Sequence, residues 1–251
     1  MKAVSSIGSR AVLAGILMLG ASTAALAQEE EKSITISGSA AFVSDYRWRG
    51  GSLSNLDPAV QAGITLEHKS GFFVGAWGSS IADFNGSTVE VDLTAGWAGN
   101  VAGLEASGGV LYYGYPGGKD TDMVELFGTI GVPLGPVTAT FGLNWAPDQS
   151  NLDRSSRYAF GQLSAGIPNT PISLTASLGN ERGGVVADES GLKTSKWDWL
   201  VGADLTWEAL TFSVAYVGND LTGRTISDGE SSFRANRLAK DTVVFSVTAA
   251  F

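Results

Sequence analysis

The sequence predicts an all-β fold, a transmembrane antiparallel up-and-down β-barrel of about twelve strands with both termini on the periplasmic side. Three observations carry this. Residues 243–251 alternate apolar with small or polar side chains and stop on an aromatic. Residues 1–27 have the three-part pattern of a secretory signal: Lys2 and Arg10, an apolar run over 11–19, then Ala25-Leu26-Ala27 as the cleavage site. Between these ends the chain breaks into about twelve segments of about ten residues, the length a tilted transmembrane strand needs. Ten or fourteen strands are the neighbouring even counts.

The N-terminal apolar run is too short for a membrane-spanning helix, which needs about 20 residues, so cleavage after Ala27 is expected, with 28–251 as one barrel domain. Loss of Lys2 and Arg10 leaves 14 basic against 25 acidic side chains, a formal charge of 14 − 25 = −11. That balance argues against nucleic-acid binding, which relies on basic patches. The sequence has no Cys, so neither disulfides nor thiolate metal sites enter.

Each strand is justified by period-two alternation. In the first, Ile34, Ile36, Gly38, Ala40 and Phe42 share a face that parity extends to Tyr46 and Trp48, opposite Thr35, Ser37, Ser39, Asp45, Arg47 and Arg49. The second sets Val60, Ala62, Ile64 and Leu66 against Gln61, Thr65 and Glu67, and the fourth sets Val89, Val91, Leu93, Ala95 and Trp97 against Glu90, Asp92 and Thr94. The split returns at Val137 to Trp145, at Ile172 to Leu178 and at Val201 to Trp207. Segments 72–80, 104–115 and 157–167 alternate less cleanly, because Phe73, Trp77, Leu111, Tyr113 and Leu163 interrupt the pattern.

Short turns at 69–71, 133–136, 168–171 and 208–210 interleave with long polar stretches at 146–156, 181–196 and 218–236. In outer-membrane barrels short turns face the periplasm and long loops face outward. Aromatic girdles at the two membrane interfaces are the independent signature, and Tyr46, Trp48, Trp97, Tyr112, Trp145, Trp197, Trp199, Trp207, Phe212 and Tyr216 are the candidates.

A barrel of about twelve strands is wide enough for its lumen to hold water. The charged side chains assigned to that lumen are Asp45, Glu67, Glu90, Asp92, Glu105, Glu125, Asp198 and Asp204, with Arg47 and Arg49 as the bases. Carboxylates lining a low-dielectric channel focus a negative potential, so the reading is a porin-like channel for passive diffusion of small hydrophilic solutes, cations preferred. The alternative is a closed barrel in which Arg47 and Arg49 pair with the acids and the outer loops bind a partner.

The sequence also resembles the TorF-like porins of proteobacteria. Residues 42–50, Phe-Val-Ser-Asp-Tyr-Arg-Trp-Arg-Gly, carry the resemblance through their S-D-Y-x-x-R-G element, followed by 58–63, 70–79 and 90–93. It covers the first third of the mature chain, and departs from the family pattern at 51–54 and at Ser80. The resemblance implies an integral outer-membrane channel and names no catalytic residues. By similarity to other barrels, Phe245 and Phe251 are the aromatic elements of a signal for the barrel-assembly machinery. Outer-membrane lipids are the expected surroundings; the oligomeric state stays open, since lipid-facing and subunit-facing residues look alike.

Enzymatic and metal-dependent readings find little support. His68 is the one histidine, placed at a periplasmic turn with no nucleophile elbow near it. Acid pairs such as Asp120 with Asp122 and Asp228 with Glu230 lack the spacing of a calcium loop. No cofactor is expected. The stretches 181–196 and 218–236 are long enough to fold inward, and Arg224, Arg234 and Arg237 near an acidic lumen would let the second occlude it.

Overall fold

The chain folds as a closed barrel of twelve antiparallel strands, seen in a computed structural model that describes residues 33–152, 154–186, 195–221 and 240–251. The expected signal segment, residues 187–194 of the 181–196 stretch and residues 222–239 lie outside the described residues, and Arg224, Arg234, Arg237, Asp228 and Glu230 lie there too.

The barrel strands are β1 (Ile34–Val43), β4 (Ala59–His68), β5 (Phe72–Phe84), β6 (Ser87–Val101), β7 (Leu104–Gly114), β8 (Met123–Leu134), β9 (Val137–Ala146), β10 (Ser156–Gly166), β11 (Ile172–Gly183), β12 (Ser195–Trp207), β13 (Leu210–Asn219) and β14 (Thr242–Ala250). Each pairs with its sequence neighbour around the ring, and β1 closes the sheet by pairing with both β4 and β14. Closure leaves no open edge, which a sheet in hydrocarbon requires. Two further elements, β2 (Arg47–Trp48) and β3 (Gly51–Ser52), form a separate two-stranded hairpin within the connection from β1 to β4.

The alternation sorts the faces as expected. Outward residues form a broad apolar belt that includes Ile36, Val60, Phe72, Phe141, Val201 and Phe245, all exposed at 59% or more. In water such a surface would be an aggregation liability; in hydrocarbon it is the required coat. Trp145, Trp197, Trp207, Phe212 and Tyr216 lie exposed on this outer face, with Trp97, Tyr112 and Trp199 half-buried on it. They gather toward the strand ends: Trp97 donates its indole N–H to the Ser70 carbonyl at 2.9 Å in a periplasmic turn, while Tyr112 and Tyr216 donate to Asp122 and Asp241 at the outer ends of their strands.

Tyr46 and Trp48 do not belong to the girdle. At Ser44 the chain leaves the sheet, so strand parity stops at Val43 and both rings turn inward. Tyr46 is 2% exposed and packs with Val43, Ala59, Leu53, Trp77 and Ile81; Trp48 packs with Leu111, Tyr113 and Met123. These interior contacts also explain why the alternation blurs over 72–80 and 104–115. Trp77, Leu111 and Tyr113 are large and apolar on an inner face because Tyr46 and Trp48, inside the barrel, pack against that face, while Phe73 is buried at the other end of β5.

The 181–196 stretch is shorter as a loop than the sequence suggested. β11 runs on to Gly183 and β12 begins at Ser195, so Glu181 and Lys196 are wall residues, paired directly across the two strands.

Candidate functional site

The segment 44–58 is the element that distinguishes this lumen. It enters from the outer end of β1, folds as the β2–β3 hairpin and returns to β4. Its turn is Arg49-Gly50, with φ of 46° and 80°. Two consecutive positive φ angles are what a two-residue hairpin turn needs, and Gly supplies the second freely while Arg does not. Gly50 is also constrained from outside: a Cβ there would lie 2.4 Å from the Gly218 carbonyl oxygen on β13.

Asp45 organises the segment. Its Oδ2 accepts from Arg47 Nε at 2.5 Å, and its Oδ1 from the hydroxyls of Ser52 and Ser54 at 2.6 and 3.1 Å. Arg47 also donates to the carbonyls of Gly50 and Lys240, both at 3.1 Å. Ser54 accepts from the Tyr46 amide at 2.9 Å, and the Ala82 amide of β5 donates to the Leu53 carbonyl at 2.8 Å. The charges of Asp45 and Arg47 are thus spent on holding the strap together.

The strap's tip crosses the lumen. Arg49 stands five strands from β8 one way around the ring and four from β11 the other, counting from β1, yet it bonds to both. Its guanidinium meets Glu125 of β8 at 2.6 Å and Glu181 of β11 at 2.5 Å. The rings of Trp48 and Tyr158 lie over it at 4.2 and 4.3 Å, within cation–π range. Glu125 accepts further bonds from Tyr113 and Asn144, both at 3.0 Å, and Lys196 lies 3.3 Å from Glu181. Tyr158 donates onward to Asp198 at 2.9 Å. Gly179 makes room for this: a Cβ there would fall 2.2 Å from the Tyr158 hydroxyl.

Around β6 the same tier is built differently. Glu90 is fully buried and Asp92 is 8% exposed. Glu90 accepts from the Tyr46 hydroxyl at 2.8 Å, with Tyr115 beside the same carboxylate. Burial, and then the Glu90 charge, raise the Tyr46 pKa well above its usual value, so the phenol stays a neutral donor. Among the described residues no base pairs with Glu90 or Asp92, and Glu90 Oε2 and Asp92 Oδ1 have no hydrogen-bond partner.

The remaining candidates lie apart. Asp204 faces inward lower on β12, 3.4 Å from the Ser173 hydroxyl, while Glu67 and Glu105 are half-buried near the periplasmic ends of β4 and β7. His68 is exposed at the periplasmic turn, its Nδ1 2.7 Å from the Ser70 hydroxyl. Phe251 is 81% exposed, and its amide and carbonyl bond to Gly38 of β1 at 3.0 and 2.8 Å. Sequence reasoning missed Glu181 and Lys196, which polar composition had assigned to a loop. It also missed Tyr113 and Tyr158, whose inward position only the strand parity of β7 and β10 could have signalled.

A solved structure shares the architecture. A superposition on the NanC porin covers 86% of this chain and 99% of that one, at 9% identity and a TM-score of 0.57. An outer-membrane channel from Pseudomonas putida F1 aligns over 88% of this chain and 98% of its own at 12% identity and a TM-score of 0.49; for the outer-membrane protein OpdK of Pseudomonas aeruginosa the values are 89%, 68%, 13% and 0.45. At its identity, the likeness to NanC speaks to the fold alone. No curated protein sequence matches the chain significantly. The bacterial family described as a protein of unknown function, Gcw_chp, matches residues 27–251, which include every described residue, and the protein belongs to that family.

Proposed function

We propose that the protein is an integral outer-membrane channel of porin type, related in kind to the TorF-like porins its 42–50 segment resembles. It is exported by a signal over residues 1–27, inserted by the barrel-assembly machinery through its Phe251-terminated strand, and passes small hydrophilic solutes with a preference for cations. The observation that carries the preference is the charge of the inner wall. Glu67, Glu90, Asp92, Glu105 and Asp204 face inward with no ion-pair partner among the described residues, whereas Arg47, Arg49 and Lys196 are each committed to a carboxylate or its neighbours. Fixed negative charges in a low-dielectric tube raise the local concentration of cations and repel anions.

The strap favours a second reading, a barrel held shut at its outer end, because Arg49 spans the lumen and bonds to the far wall. One measurement separates them. Protein purified from outer membranes and placed in a planar bilayer under a salt gradient should show discrete conductance steps and a reversal potential of the cation-selective sign. Silence from barrels that still migrate as folded on unheated gels would give the second reading the advantage. Currents with anion selectivity would overturn the cation preference while leaving the channel.

A further inference from the structure

We infer that Glu90 and Asp92 form a binding site for a primary ammonium group, so that the solutes favoured by this channel include small organic amines in their protonated form. The inference rests on the channel reading above and sharpens it to a class of ligand.

The two carboxylates are two residues apart on one strand, on the same inward face, with their backbones about 6.6–6.8 Å apart. A single nitrogen between them can reach both. Glu90 is fully buried and Asp92 more than nine-tenths buried, yet each keeps an oxygen with no hydrogen bond. Buried carboxylate oxygens in a folded protein are normally satisfied, so a pair left open on the same face points to a donor that comes from outside the chain. The strap could have supplied that donor, since it carries two arginines through this tier. It instead sends Arg49 to Glu125 and Glu181, ties Arg47 to Asp45, and offers Glu90 only the phenol of Tyr46.

The surroundings select the kind of cation. Asp92 stands directly across from Trp77 on β5 and from Tyr113 on β7, and the Trp77 ring packs edge to face on Tyr46 at 5.5 Å. Aromatic rings beside carboxylates suit an alkylammonium, whose charge can be shared with a π face and whose alkyl part gains from apolar contact. A calcium ion asks for six to eight oxygen ligands, and no group of three or more metal-ligating acids or histidines occurs among the described residues. The open oxygens want N–H donors, of which a primary ammonium has three and a quaternary ammonium none.

Calorimetric titration of the detergent-solubilised protein with n-butylammonium, tetramethylammonium, potassium and calcium chlorides tests this. Butylammonium should bind about tenfold or more tighter than tetramethylammonium or potassium, and Glu90→Gln and Asp92→Asn should each weaken it by about tenfold or more. Both substitutions keep side-chain shape, and unheated gel mobility reports whether each barrel folds. Equal affinity for butylammonium and tetramethylammonium, tighter binding of calcium, or butylammonium binding untouched in folded variants would each overturn the inference. Calorimetry needs no current, so the two readings fail separately. Binding in a barrel that does not conduct removes the channel and keeps the site, whereas a cation-selective channel with no butylammonium binding does the reverse.

Discussion

Two walls of one lumen, at the same outer tier, bury carboxylates in different ways. From β8 to β12, Glu125 is matched by Arg49 and capped by Tyr113 and Asn144, and Glu181 is matched by Arg49 and Lys196. On β6, Glu90 receives the Tyr46 phenol, Asp92 receives no hydrogen bond at Oδ1, and neither meets a base among the described residues. A network completed by the protein's own charges is structural; one left short of positive charge is a place where charge from outside is stabilised. Counting lumen carboxylates therefore says little until it is known which of them the chain has already neutralised.

Arg49 is where substitution should cost the most. Replacing it with Ala strands Glu125 and Glu181 in a buried setting, and removing one partner of a buried pair costs about 3–5 kcal/mol. Arg49→Ala should lower the urea midpoint of the folded barrel and, because the strap loses its hold on the far wall, raise single-channel conductance. Glu90→Gln, made on the other wall, should leave the midpoint nearly unchanged. Equal losses for the two substitutions would mean that the walls do not differ as described.

Gly50 comes next. Its positive φ and the Gly218 carbonyl 2.4 Å from any added Cβ mean that Gly50→Ala must shift the hairpin, at a cost of about 1–3 kcal/mol. The conductance change should go the same way as for Arg49→Ala and be smaller. Gly51→Ala is the control: a Cβ there meets nothing closer than 3.6 Å, so stability and current should both hold.

The barrel itself was legible in the sequence, because lipid on one side and water on the other force period-two alternation on every strand. Strand β6 illustrates this, with Val89, Val91 and Leu93 outward and Glu90 and Asp92 inward as parity assigned them. The strap was not legible. Asp45, Tyr46, Arg47, Trp48 and Arg49 resume the parity of β1 after an interruption at Val43-Ser44, yet the chain leaves the sheet after Val43. Period-two spacing reports that alternate residues face different surroundings, and a hairpin lying inside a barrel satisfies that as well as a wall strand does. The Val43-Ser44 reversal and the Gly50-Gly51 pair were the local marks of the departure and the turn. Glu181 and Lys196 were hidden for the opposite reason, since strands extending beyond the bilayer carry the polar composition of loops.

Tyr46→Phe removes the hydroxyl that donates to Glu90 and leaves the ring packed on Trp77. A hydrogen bond to a charged group contributes about 1.5–3 kcal/mol, but a water admitted to the space the hydroxyl leaves can restore part of this, so a loss of about 1 kcal/mol is expected. The measurement that matters is relative: Tyr46→Phe should destabilise less than Arg49→Ala, and it should strengthen cation selectivity, because a carboxylate relieved of its phenol donor presents more of its charge to the channel.

Asp92→Asn should have the smallest effect on stability and the opposite sign. An unpaired, desolvated carboxylate is a cost that the folded barrel carries, and neutralising it while keeping the shape should be neutral or stabilise by up to about 1 kcal/mol. The same substitution should move the reversal potential toward that of a non-selective pore, because it removes a fixed charge from the wall that has no base. Glu125→Gln, its counterpart on the other wall, should destabilise the protein and shift selectivity less, since Arg49 already balances that charge. If Glu125→Gln changes selectivity as much as Asp92→Asn does, then permeating ions feel both walls alike, and pairing within the lumen does not decide which carboxylates act on a solute.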